Sequence, residues 1–96
     1  MSENYENNLR TLFEAIVSLH SADEAAAFFD DLCTIKELQD MSSRFEVALL
    51  LDKGKNYAEI SELTGASSAT ISRVNRCLNY GKNGYKTAIG KINNEK

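Results

Sequence analysis

The chain has 96 residues, enough for one domain with a modest core, so extra stability has to come from a partner subunit, a metal or disulfides. Its residues are 43% hydrophobic and 26% charged, as in ordinary globular proteins. The longest strongly apolar stretch, residues 45–51, is far too short to span a bilayer, and the acidic N-terminus lacks the basic and apolar regions of a signal peptide. We therefore expect a cytoplasmic protein with no membrane contact.

The net charge of −3 is unevenly distributed along the chain. Residues 1–52 carry eleven acidic and three basic side chains, whereas residues 53–96 carry eight basic and three acidic ones. Phosphate contacts supply most of the non-specific affinity for DNA, so a basic half is what a DNA-binding protein needs. We expect the acidic half to face away from the duplex or to build a dimer.

The whole chain has a helical pattern, and no proline interrupts it. Apolar residues at a 3.6-residue period predict an amphipathic first helix over residues 4–20. Two pairs with capping-box spacing predict the starts of the second and third helices: Ser21 with Glu24, and Thr34 with Glu37. The third helix is expected to run to Lys53, where Gly54 stops it.

The third helix is apolar around most of its circumference between Phe45 and Leu51. Such a helix is normally buried on all sides, which a chain of this size can hardly achieve alone. The pattern favours an obligate homodimer in which residues 1–54 of two chains pack together as dimerisation helices. The alternative is a central helix in a monomeric bundle.

Residues 56–80 have the spacing of a helix-turn-helix. Gly65 stands where the chain must turn sharply with a positive φ, and Ser61 is a small residue at the predicted crossing of the two helices. Ser67 or Ser68 provides the cap of the second helix. The apolar residues expected to hold the two helices together are Ile60, Leu63, Ala66, Ile71 and Val74. The alternative is a plain helical hairpin.

The second helix of this motif is expected to enter the major groove of DNA with its N-terminal residues on the base edges. Ser68 and Ser72 are candidates for base-edge or water-mediated contacts, and Ala69 for contact with a thymine methyl. The predicted DNA-binding residues are Tyr57, Ser67, Ser68, Ala69, Thr70, Ser72, Arg73 and Arg76. Lys55 and Lys82 are further candidates for phosphate contacts. For each polar residue the alternative is a solvated surface role.

A short last helix is predicted over residues 85–92. Cys33 and Cys77 form no CxxC pair and are interpreted as two reduced thiols. The single histidine, His20, leaves no ligand set for zinc. No nucleophile–base pair or phosphate-binding glycine loop is visible. We therefore expect no metal, no cofactor and no enzymatic activity.

The motifs resemble those of the Trp repressor superfamily, most closely its small Trp-repressor-like (YerC/YecD-type) branch. The resemblance covers most of the chain and is clearest over residues 33–80. The stretches that carry it are Cys33–Leu38, Ser43–Arg44, Leu63–Ala66 and Ala69–Arg73. It implies an all-α, intertwined homodimer of about six helices per chain, with two helix-turn-helix readers spaced to meet successive major grooves.

In that family a tryptophan co-repressor fits between two arginines, near a threonine and a serine. The resemblance places Thr34, Arg44, Val74 and Cys77 at a possible effector pocket, with Arg73 as the second arginine. Cys77 replaces the serine, and Val74 replaces a glycine that lets the indole ring approach, so tryptophan binding is not expected. Two of these residues have other interpretations, since Arg44 can pair with Asp40 and Arg73 can contact a phosphate.

Together these features predict a sequence-specific regulator of transcription that binds double-stranded DNA as a homodimer and represses by occupying promoter DNA. One alternative adds a small-molecule effector, other than tryptophan, near Arg44 and Arg73. Another alternative is a helical protein-interaction module that no longer reads DNA.

Overall fold

A computed structural model describes residues 3–94, and all of its regular structure is helical, as predicted. The six helices are α1 (Glu3–Val17), α2 (Ala22–Leu32), α3 (Ile35–Asp52), α4 (Tyr57–Thr64), α5 (Ser68–Tyr80) and α6 (Gly84–Asn94). Their contacts divide the chain into two compact units. The N-terminal unit comprises residues 1–38 and the C-terminal unit residues 39–96.

The first helix ends at Val17, three residues before its predicted end. The N–H of Ser18 donates to both Glu14 and Ala15, and the N–H of Leu19 donates to Ile16, so the last turn tightens toward 3₁₀ geometry. The N–H of His20 cannot continue the helix because it donates to the Glu24 carboxylate over 2.7 Å.

The predicted cap of the third helix is confirmed. The N–H of Thr34 donates to the Glu37 carboxylate over 2.8 Å, and the N–H of Glu37 donates to the Thr34 hydroxyl over 3.1 Å. At the other end Gly54 has φ +85°, and its N–H donates to the Leu51 carbonyl. A left-handed residue after the last turn ends the helix, as the glycine predicted.

The core of the C-terminal unit is formed by α3, α4, α5 and α6. Its buried residues are Val47, Ala48, Leu50, Ile60, Ala66, Ile71, Val74, Leu78 and Ile89. Within one chain α3 is not buried on all sides, because Phe45, Leu49 and Leu51 are only partly covered. We predicted that this helix is buried on all sides, but in the single chain only one of its faces is buried.

The N-terminal unit, unlike the C-terminal unit, has little buried apolar surface. Neither α1 nor α2 contains a buried residue. Several of its large hydrophobic side chains are exposed, among them Phe13 (53%), Val17 (81%), Leu32 (50%) and Ile35 (76%). The residues that bury apolar surface effectively in this chain thus lie in the C-terminal unit. Among the described residues no helix is long and apolar enough to cross a membrane.

Candidate DNA-reading helix-turn-helix

The first helix of the motif begins with a capping box. The N–H of Glu59 donates to the Asn56 side chain over 2.9 Å, and the N–H of Asn56 donates to the Glu59 carboxylate over 3.2 Å. Sequence analysis overlooked this pair, although the Asn-x-x-Glu spacing is visible. The box fixes the direction in which α4 starts and leaves Tyr57, its first residue, 37% exposed.

The turn between the helices depends on Gly65. Its φ of +77° and ψ of 2° place it in the left-handed region, and its N–H donates to the Ser61 carbonyl over 2.8 Å. The Thr64 hydroxyl donates to the Ile60 carbonyl and accepts the N–H of Ala66. The backbone of the turn is therefore held by local hydrogen bonds on both sides of the glycine.

Two residues of the predicted crossing are placed differently from expectation. Leu63, expected to hold the helices together, is 64% exposed, and the neighbouring Thr64 is half-buried in its stead. The side chain of Ser61 is also exposed. A short α4 presents only one inward residue per turn, and this position is taken by the fully buried Ile60. The remaining apolar residues, Ala66, Ile71 and Val74, are buried as predicted.

The second helix, α5, is capped by Ser67. Its hydroxyl accepts the N–H of Thr70 over 3.2 Å and donates to the Thr70 hydroxyl over 3.2 Å. Ser68 is therefore the first residue of the helix. Because Ser67 and Thr70 bond to each other, the hydroxyls at the start of α5 without such a partner are those of Ser68 and Ser72.

One face of α5 is polar and exposed. Ser68, Ser72 and Arg76 recur every four residues and form one stripe, with Ala69 and Arg73 beside it. The first turn of α5 contains no acidic residue. This stripe combines short hydroxyls at the N-terminal end with two guanidinium groups farther along, which is the chemistry required to meet bases and phosphates.

The residues assigned to the possible effector pocket differ in exposure and are divided between the two units. Val74 is 1% exposed and belongs to the core, whereas Cys77 one turn later is exposed. Arg44 is half-buried in α3, and Thr34 lies in the N-terminal unit, where its hydroxyl caps α3. The Val74 side chain is thus packed among apolar neighbours rather than standing beside an open space.

Cys77 instead borders an apolar groove of about 470 Å³ that sequence analysis did not anticipate. It is lined by Phe45, Cys77, Gly81, Lys82, Gly84, Tyr85 and Ala88. The rings of Phe45 and Tyr85 are stacked, with centroids 6.4 Å apart and an angle of 22° between their planes. Among residues 3–94 no group of three or more His, Cys, Asp or Glu side chains is placed to hold a metal ion.

Comparisons with known proteins agree with this arrangement. Residues 7–93 match the family model of the Trp repressor protein. The chain is 51% identical over 84 residues to YerC, an uncharacterized protein of Bacillus subtilis strain 168. The aligned residues cover 88% of this chain and 81% of YerC.

Two crystal structures have the same fold. A TrpR-like protein from Eubacterium eligens ATCC 27750 superposes with a TM-score of 0.86 at 50% identity, covering 91% of this chain and 90% of that one. A Staphylococcus aureus protein also superposes with a TM-score of 0.86, at 40% identity, covering 97% and 96% of the two chains. The chain therefore belongs to the Trp repressor family.

Proposed function

We propose that this protein is a cytoplasmic, sequence-specific regulator of transcription that binds double-stranded DNA as a homodimer and represses by occupying promoter DNA. The family suggests a DNA-binding regulator. The observation that carries the proposal is the exposed polar stripe of α5, held at a fixed angle to α4 by a left-handed Gly65 and a shared apolar core.

In this proposal the residues of α5 have different roles, and the local hydrogen bonds support the division. Ser67 and Thr70 hold the start of the helix, so base-edge contacts fall to Ser68 and Ser72, with Ala69 against a thymine methyl. Arg73 and Arg76 lie farther along the helix and contact phosphates. Tyr57, at the start of α4, adds a phosphate contact from the first helix of the motif.

In this proposal the homodimer provides the sequence specificity of the helix-turn-helix. Two copies of α5 related by a two-fold axis meet half-sites about one helical turn of DNA apart, so the operator is roughly palindromic. Each half-site adds its own discrimination against mismatched bases. The eight basic residues of 53–96 supply the sequence-independent attraction, which falls steeply with salt concentration.

Tryptophan is not the effector in this proposal. In the family the indole ring approaches a glycine, whereas here the isopropyl group of Val74 is packed into the core. We expect millimolar tryptophan to leave both the melting temperature and the DNA affinity unchanged. A rise in melting temperature with tryptophan would contradict this part of the proposal alone.

Selection of genomic fragments by the purified protein, followed by gel shifts across a salt series, tests the proposal. We expect enrichment of sites with two-fold symmetry, and affinity that decreases linearly on a log–log plot against salt. An Arg73→Ala, Arg76→Ala double variant serves as the DNA-binding control, and Arg10→Ala as its match in the acidic half. Absence of salt-sensitive binding at low ionic strength would favour a protein-interaction module instead.

A further inference from the structure

Thr64 is the last residue of α4, and its hydroxyl forms two hydrogen bonds in the turn of the helix-turn-helix. The hydroxyl donates to the Ile60 carbonyl over 2.8 Å and accepts the N–H of Ala66 over 3.1 Å. The first bond is the ordinary contact of a threonine with the carbonyl four residues earlier in its own helix. The second bond joins the end of α4 to the residue beyond Gly65, so Thr64 connects the two helices of the motif.

The acceptor of the Ala66 N–H decides whether α4 ends or continues. In a longer helix this N–H would donate to the carbonyl of Glu62, four residues earlier. Here the N–H of Gly65 makes the last bond of that kind, to Ser61, and the N–H of Ala66 donates to the Thr64 hydroxyl instead. Ala66 is only 9% exposed, and a buried N–H is satisfied by a polar partner. The Thr64 hydroxyl is the partner that lets the chain leave α4 at Gly65.

The direction in which α5 starts depends on the peptide of Ala66. This residue is followed directly by Ser67, the cap of α5, and by Ser68, its first residue. The side chain of Ala66 belongs to the same buried cluster as Ile60 and Ile71, while its N–H is held by the Thr64 hydroxyl. Rotation of this peptide would turn the start of α5 relative to α4. Recognition requires side chains to be held within about 0.5 Å and 10–20° of their working geometry, so even a small rotation matters.

We propose that Thr64 is a positioning residue for DNA recognition, whose hydroxyl acts through the Ala66 N–H to set the angle at which α5 presents Ser68 and Ser72 to the bases. The inference rests on the proposed function and extends it to a residue outside the predicted DNA-contacting set. The required feature is the hydroxyl and not the volume of the side chain. Non-specific affinity is electrostatic and independent of sequence, so this residue contributes to specificity and not to general affinity.

Two substitutions of Thr64 separate the hydroxyl from the shape of the side chain. Thr64→Val keeps the branched shape and removes the hydroxyl, whereas Thr64→Ser keeps the hydroxyl and removes the methyl group. Fluorescence anisotropy measures the affinity of each variant for a selected genomic site and for random DNA. We expect Thr64→Val to lower the ratio of the two affinities about tenfold, comparable to one mismatched base pair, and Thr64→Ser to stay within about twofold of the wild type.

Thr11→Val is the matched control. The exposed Thr11 hydroxyl of α1 donates to the Asn7 carbonyl over 3.0 Å, so this variant loses the same kind of helical bond without touching the turn. All proteins are compared where circular dichroism and light scattering show the same helical content and oligomeric state. A Thr64→Val protein that melts at a lower temperature but keeps the wild-type affinity ratio overturns the proposal, because Thr64 is then only structural. A Thr64→Ser protein that loses as much as Thr64→Val overturns it as well.

Amide hydrogen exchange, followed by NMR, tests the hydrogen bond without DNA. We expect the Ala66 N–H to be protected in the wild type and in Thr64→Ser, and to exchange about tenfold faster in Thr64→Val. Unchanged protection in Thr64→Val overturns the proposal. Selective binding by the wild type and equally by Thr64→Val rejects the positioning role alone. A wild-type protein without preference for the selected site rejects the proposed function, and the inference with it.

Discussion

The Ser67 hydroxyl is bonded to Thr70 twice, accepting its backbone N–H and donating to its hydroxyl, each over 3.2 Å. The same residue thereby ends the turn that follows Gly65 and starts the helix assigned to DNA reading. These two hydrogen bonds, which span only residues 67–70, determine where the exposed stripe of α5 begins. In the proposed function, the stability of the motif and its contacts with DNA therefore depend on neighbouring but different side chains.

Replacement of the cap should lower stability without removing a base contact. Ser67→Ala leaves the N–H of Thr70 without its acceptor, and loss of an N-cap costs about 1 kcal/mol. Urea denaturation at fixed protein concentration measures the change. Ser72→Ala, an exposed serine farther along the same helix, is the control and should stay within about 0.5 kcal/mol of the wild type. An equal decrease in the free energy of unfolding of both variants would contradict the capping role of Ser67.

Two glycines should respond to alanine with opposite signs. Gly65→Ala meets no neighbouring atom within 4 Å, so its cost is the strain of a left-handed alanine, about 1 kcal/mol or slightly more. Gly90→Ala also meets open space but lies inside α6, where alanine is favoured by about 0.5–1 kcal/mol. Thermal melts at matched concentration compare the two. A stabilising Gly65→Ala would show that the turn adopts another conformation.

Arg73→Ala should weaken binding to all DNA sequences alike. Its guanidinium is exposed on α5 and is assigned to a phosphate, so its loss lowers the salt slope by about one. Fluorescence anisotropy on a selected site and on random DNA across a salt series measures both effects. Arg10→Ala, an exposed arginine of α1 that pairs with Glu14, should leave the slope unchanged. A loss of affinity for the selected site alone, with unchanged affinity for random DNA, would indicate that Arg73 contacts a base rather than a phosphate.

Ser68→Ala should change sequence preference rather than general affinity. The Ser68 hydroxyl lies at the start of α5 without a partner in the turn, and we assign it to a base edge. We expect discrimination at one base pair of each half-site to fall by about tenfold. Repeating the genomic selection with this variant provides the measurement, with Ser18→Ala, a serine after α1, as the control. An unchanged binding motif would remove Ser68 from the base-reading set.

Local signals in the sequence determined the helices and the turn of the helix-turn-helix. The pair of Thr34 and Glu37 predicted where α3 starts, and Gly65 predicted the turn, because caps and left-handed turns depend on atoms only a few residues apart. The polar stripe of α5 followed from helical periodicity once Ser67 was identified as a possible cap.

Tertiary structure decided which apolar residues are covered. Leu63 and Thr64 have the opposite exposure to that expected from hydrophobicity, because the crossing of α4 and α5 selects the inward position. The groove likewise joins Phe45 to Tyr85, which are forty residues apart in the sequence. Burial depends on packing between distant segments, and no local spacing encodes it.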